Sequence, residues 1–132
     1  MPLPAWISEA PFKFSKVLIA NRGEIACRII RGCKEMGIST VAIFNDSDMG
    51  AMHVDLADES VHLEGTDLST TYLSHTAIIN ACISSGADAL HPGYGFLSER
   101  SDFAELVGAN GIIWIGPPAK AIDSMGDKVR SR

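Results

Sequence analysis

KVLIANRGEIACRIIRGCKE, residues 16–35, holds the change of apolar period that decides the fold. Val17-Leu18-Ile19-Ala20 is an unbroken apolar run, the pattern of a strand buried on both faces of a sheet. From Asn21 the spacing turns helical, with Ala26, Ile29, Ile30, Cys33 and Met36 forming one stripe and Gly37 as the stop. At the junction Asn21 and Glu24 have the spacing of a capping box, and Gly23 permits close backbone packing. A strand that passes straight into a helix opens a βαβ unit, and open parallel sheets bind ligands beyond the carboxyl ends of their strands.

The same alternation continues outward from this stretch. Strands are expected at 40–44, 59–63, 87–90 and 112–115, and helices at 51–57, 73–84, after HPGYGFLSE (91–99) and at 119–125. Ser98 or Ser101 is the expected cap of the helix that follows the glycine loop, with Phe103, Leu106 and Val107 as its apolar stripe. Strands alternating with helices imply an α/β class: a parallel, doubly wound sheet of about five strands. Residues 1–13, rich in proline and lacking a basic or long apolar segment, read as an arm whose Trp6 and Ile7 pack on the domain 14–132.

The chain has 132 residues, a hydrophobic share of 46% and a formal net charge of -5, so one core is feasible and no basic stripe is available for nucleic acid or an anionic membrane. Its three cysteines, Cys27, Cys33 and Cys82, fall in expected helices without CxxC spacing, the pattern of small buried hydrophobes in a reducing compartment. His53, His62 and His75 lack ligand spacing and are read as surface or half-buried residues; no metal site is assigned.

HPGYGFLSE is the most informative loop. Pro92 keeps His91 out of the helical region, and Gly93 and Gly95 allow positive φ and close approach. Such a turn either presents amides to an anion or is a tight βα connection needing glycine for sterics; Tyr94 and Phe96 are expected to be partly buried supports, with Glu99 as a first-turn charge. Arg28, Arg31 and Glu35 share one helix face, as a solvated stripe or a subunit contact. Lys128, in MGDK, is by itself one more surface lysine. Neither the GxGxxG fingerprint nor a Walker A sequence is present.

Taken together, KVLIANRGEIACRIIRGCKEMGI, TVAIFNDSD, HVDLADESVHL, TYL, HPGYGFLSE, IIWIGPP and MGDK closely resemble the N-terminal, pre-ATP-grasp domain of biotin carboxylase, over residues 14–132, which implies a Rossmann-like, three-layer fold. That domain also opens the biotin-bearing subunits of acyl-CoA carboxylases and pyruvate carboxylase. The resemblance implies an ATP-dependent ligase that makes carboxyphosphate from MgATP and bicarbonate and carboxylates biotin on a carrier protein. It implies that the lid, the ATP-grasp catalytic domain, the metal-binding acids and the arginine that meets biotin come from segments beyond this chain, which alone is expected to be inactive and to bind no cofactor. By motif, Lys128 corresponds to a lysine that contacts ATP phosphate, and Gly93, Tyr94 and Gly95 to a loop on the bicarbonate and biotin side of the cleft. Arg28, Arg31 and Glu35 correspond to positions that help form a homodimer.

The implied partners are the downstream ATP-grasp domain, a biotin carboxyl carrier domain and a carboxyltransferase subunit, in the cytoplasm of a bacterium or the mitochondrial matrix of a eukaryote. The sequence departs from many relatives at Glu64–Ser69, where they carry a Gly-Pro-Ala-Pro-like stretch, and Gly23 differs from the serine common in pyruvate carboxylases. Two other readings are a non-catalytic assembly module and a free-standing Rossmann nucleotide-binding domain.

Overall fold

The structure, a computed structural model, describes residues 15–116. The arm at 1–13, the last expected helix at 119–125 and Lys128 lie outside the described residues. The elements are β1 (Lys16–Ile19), α1 (Gly23–Glu35), β2 (Ser39–Phe44), α2 (Met52–Leu56), β3 (Glu59–His62), α3 (His75–Ser85), β4 (Ala89–His91), α4 (Ser101–Ala109) and β5 (Ile113–Trp114), with single 3-10 turns at Asp46–Asp48 and Leu68–Thr70.

The five strands form one sheet in the order β3-β2-β1-β4-β5, and every neighbouring pair is parallel. The chain winds outward from β1 to β3, then crosses to β4 on the other side of β1. The direction of winding therefore reverses between β1 and β4, which is where such a sheet opens a crevice.

Why β1 is apolar from Val17 onwards is visible in its two faces. Leu18 and Ala20 join Val41, Ile43, Tyr72, Ile78, Cys82, Leu90, Phe103 and Val107 on the side covered by α3 and α4. Val17 and Ile19 join Ala26, Ile29, Ile30 and Cys33 under α1. Successive residues of a strand point to opposite faces, so a strand covered on both sides has no polar position left. Each large aliphatic side chain sealed in this way contributes about 1.5–3 kcal/mol. Phe103 anchors the second layer, with Trp114 edge-on at 5.8 Å and His75 tilted against it at 5.1 Å.

Several local expectations change. Met36, placed in the α1 stripe, is 50% exposed, because the helix ends at Glu35 and Met36 is already its C-cap. Helix α3 begins at His75 rather than 73: Ser74 Oγ accepts from the Ala77 amide at 3.1 Å, leaving Leu73 outside it and 38% exposed. Helix α4 has Arg100 at its cap position and no side-chain capping bond, so neither Ser98 nor Ser101 caps it. Glu99 is exposed and precedes the helix instead of standing in its first turn. The three cysteines are free and buried.

Candidate functional site

The crevice at the carboxyl ends of β1 and β4 is walled by the turn after each strand. Asn21, expected to cap α1, does something else. Its Nδ2 donates to the carbonyls of Pro92 at 2.9 Å and Tyr94 at 2.7 Å, while its Oδ1 accepts from the Arg22 amide at 2.9 Å. The helix cap position is Arg22, with no side-chain capping bond, and Glu24 is an exposed first-turn residue. The capping box is not formed, because the side chain that would accept is turned across the crevice to donate.

The loop held by Asn21 has an unusual backbone. Gly93, Gly95 and Phe96 have φ of 69°, 68° and 49°. For phenylalanine the left-handed region costs about 1–2 kcal/mol. Stacking of Phe96 on Tyr72, with centroids 5.4 Å apart and 9° between planes, supports the ring in that conformation. Tyr94, expected to be a partly buried support, is 66% exposed, and the support comes from Phe96. Beside Gly95 nothing stands within 4 Å of where a Cβ would sit, and the amides of Tyr94 and Gly95 meet no acceptor among the described residues. That leaves room and two N–H donors for an oxygen-rich ligand on the exposed side of the loop.

A charged network buttresses the same wall. Asp48, at the end of the 3-10 turn after β2, takes an ion pair from Arg22 Nη2 at 2.5 Å and a hydrogen bond from Tyr72 Oη at 2.6 Å. Arg22 also lies 5.5 Å above the Tyr72 ring. Tyr72 is fully buried, and burial together with the Asp48 carboxylate pushes its phenol well above the usual tyrosine range, so it acts as a neutral donor. Tyr72→Phe removes the buried donor and leaves the Asp48 oxygen without it; urea denaturation is expected to show a loss of about 1–2 kcal/mol.

His91 closes the loop from the strand side. Its Nδ1 accepts from the Gly93 amide at 3.1 Å, and burial pulls its imidazole down to about 4. The folded chain thus resists protonation there, whereas the unfolded chain takes up the proton near 6.5. Stability attributable to His91 is complete above pH 6.5 and falls as the pH drops towards 4. Between pH 6.5 and 5.5 the expected loss is about 1 kcal/mol, read as a shift in urea midpoint that His91→Gln abolishes.

The other histidines divide. His53, expected at or near the surface, is 1% exposed: its Nε2 donates to the Ile43 carbonyl at 2.9 Å and its Nδ1 has no partner. This buried position on α2 is open to histidine because one backbone carbonyl satisfies one ring nitrogen. His62 pairs with Asp46 at 2.6 Å and stacks on Phe44, and His75 is half-buried.

Of the residues singled out by sequence, Gly93, Tyr94 and Gly95 fall together at the crevice. Arg28, Arg31 and Glu35 are exposed on α1, apart from that loop; Arg31 reaches Glu24 at 4.0 Å, a solvated pair that contributes little. Among the described residues no group of three acidic, histidine or cysteine side chains could hold a metal, and no helix is long and apolar enough to cross a membrane. Arg22, Asp48, Tyr72 and His91 were not singled out. Their signal was present only as Arg22 within KVLIANRGEIA, the NDSD and TYL pieces and the first residue of HPGYG, with nothing local to link them.

This fold and this crevice define a class: a doubly wound, three-layer α/β domain with a glycine-loop wall at its switch point. The family described as "Biotin carboxylase, N-terminal domain" matches residues 13–122. The chain belongs to that family. The alpha chain of propionyl-CoA carboxylase from Ruegeria pomeroyi is 53% identical over 119 residues, 90% of this chain and 18% of the relative. The mitochondrial propionyl-CoA carboxylase alpha chain of Sus scrofa is 52% identical over 119 residues, 90% of this chain and 16% of the relative.

Among solved structures, the biotin carboxylase domain dimer of Hydrogenobacter thermophilus 2-oxoglutarate carboxylase, in complex with MgADP, ADP and bicarbonate, superposes with a TM-score of 0.83. Its identity is 52%, covering 91% of this chain and 26% of that one. The biotin carboxylase subunit of a pyruvate carboxylase gives 0.83 at 56% identity, covering 90% and 26%. That identity is as high as with the acyl-CoA enzymes. The chain spans under a fifth of the length of these two curated relatives.

Proposed function

We propose that this chain is the N-terminal domain of an ATP-dependent biotin carboxylase within an acyl-CoA carboxylase, and that it contributes a wall, not the reacting groups, to the site. The observation that carries this reading is the glycine loop at the β1/β4 crevice, clamped from β1, in a chain whose family match runs almost end to end. MgATP supplies the phosphoryl group that activates bicarbonate, and carrier-bound biotin accepts the carboxyl group. The part of this chain is to present the Gly93–Gly95 loop and Tyr94 to the bicarbonate and biotin side, and Lys128 as a point charge for ATP phosphate. Arg28, Arg31 and Glu35 are proposed dimer contacts. The downstream ATP-grasp domain, the carrier domain and a carboxyltransferase are the proposed partners, in a bacterial cytoplasm or a mitochondrial matrix.

The test is ATP cleavage. The full-length protein that carries this chain is expected to release phosphate from MgATP only with bicarbonate present, and faster with free biotin added, whereas residues 1–132 alone release none. Bicarbonate-dependent cleavage by 1–132 alone, or none by the full-length protein, overturns the reading. The exposed Met36, Met49 and Met52, the last with its Sδ 3.9 Å from Arg31 of α1, favour a second role, in assembly. Self-association of 1–132 in sedimentation is its expected sign, and a monomer at high concentration counts against it. A free-standing nucleotide-binding domain is disfavoured by the missing fingerprint and by Glu24 in the first turn of α1, where a phosphate would rest.

A further inference from the structure

The glycine loop has a backbone that few sequences hold by themselves, and the groups that hold it are side chains from elsewhere. Asn21 is 2% exposed, and its three side-chain hydrogen bonds use both amide hydrogens and the carbonyl oxygen. The two carbonyls it takes flank Gly93 on either side. A Cβ on Gly93 would stand 2.6 Å from Asn21 Nδ2, so the clamp and the glycine require each other. His91 Nδ1 takes the Gly93 amide from the opposite direction, and the Phe96 ring is stacked on buried Tyr72.

With Pro92 O, Gly93 N and Tyr94 O all turned inward, the N–H groups of Tyr94, Gly95 and Phe96 meet no acceptor among the described residues, and those of Tyr94 and Gly95 flank the exposed Tyr94 side chain and the open space beside Gly95. A loop tied at three points in succession is a preformed wall rather than a closing lid. A preformed donor set loses little freedom when it meets its ligand.

From this geometry we infer that Asn21 is a positioning residue for the carboxylation site: by taking the Pro92 and Tyr94 carbonyls it orients the Tyr94 and Gly95 amides towards the bicarbonate and biotin side. The inference rests on the proposed function for the identity of the ligand. It assigns to Asn21 no contact with substrate.

The experiment uses the full-length protein that carries this chain, with wild type, Asn21→Ala and Asn21→Ser compared by steady-state kinetics and by amide hydrogen exchange. For Asn21→Ala the expected result is a rise of tenfold or more in KM for free biotin or bicarbonate. KM for MgATP stays within twofold, and exchange becomes faster in the peptide spanning 91–96 but not in β2 or α3. Asn21→Ser, a smaller change at the same position, should give an intermediate shift and serves if the alanine variant does not fold.

A merely structural role would lower kcat in proportion to the folded fraction and leave every KM alone; that pattern, or unchanged exchange at 91–96, overturns the inference. If the wild-type protein shows no bicarbonate-dependent ATP cleavage, the functional reading fails instead. The exchange result then still decides whether Asn21 holds the loop.

Discussion

Asn21→Asp is expected to lower the unfolding free energy of the chain by about 3 kcal/mol at pH 7. The change is almost isosteric, so packing is not the cause. It replaces the amide nitrogen that donates to two carbonyls, at 2.9 Å from Pro92 and 2.7 Å from Tyr94, with an acceptor facing two acceptors in a position 2% exposed. Two bonds are lost and a buried carboxylate is left against carbonyl oxygens. Protonation returns one O–H donor to the site, so the difference from wild type should shrink as the pH falls from 7 towards 4. Urea titrations of both proteins across that range check the magnitude and the sign. A loss below about 0.5 kcal/mol, or one that grows towards acid, means that the clamp is not what holds the loop.

Gly93→Ala is expected to cost about as much, roughly 3 kcal/mol, from two sources. The residue has φ of 69°, where a side chain costs about 1–2 kcal/mol. The new methyl would also come within 2.6 Å of Asn21 Nδ2 and displace it from its carbonyls, at about 1 kcal/mol for each bond. The second source belongs to the pair. The double variant Asn21→Ala with Gly93→Ala should therefore lose clearly less than the sum of the two single losses, because the methyl then has nothing to displace. Strict additivity in the double-mutant cycle would show that the backbone strain alone accounts for Gly93.

The sheet and its helices were legible because their signals are local and periodic. Val17–Ala20 announces a strand covered on both faces, and Ala26, Ile29, Ile30 and Cys33 announce a helix with one buried side. Where the reading slipped, a short-range rule met a long-range competitor. Asn21 has the residue type and spacing of a cap, but its Nδ2 finds acceptors 71 and 73 residues away, and in that orientation its Oδ1, the atom on which capping depends, accepts from the Arg22 amide. Ser101 has the type of a cap, yet Arg100 takes the cap position, with Asp102 Oδ1 accepting from Phe103 N just inside the helix. His53 carries no sequence sign of burial. Only the carbonyl of Ile43, brought over it by the β2 to α2 connection, makes the interior tolerable.

The candidate site was half legible. HPGYG stood out as a loop in need of glycine, since positive φ and close approach restrict residue choice at the position itself. Its clamp did not stand out, because Asn21, His91, Asp48 and Tyr72 are ordinary residues until the sheet order β2-β1-β4 brings their loops to one end.

By itself the sequence determined the α/β class, the order of strands and helices along the chain, the two-sided core and the glycine loop, all of which follow from local periodicity and backbone sterics. Only the tertiary structure decided that β1 lies beside β4, that Asn21 faces the loop instead of its own helix, and that Arg22, Asp48 and Tyr72 form one network behind it. Those outcomes depend on which distant polar group a buried donor or acceptor meets, and that partner exists only once the strands have paired.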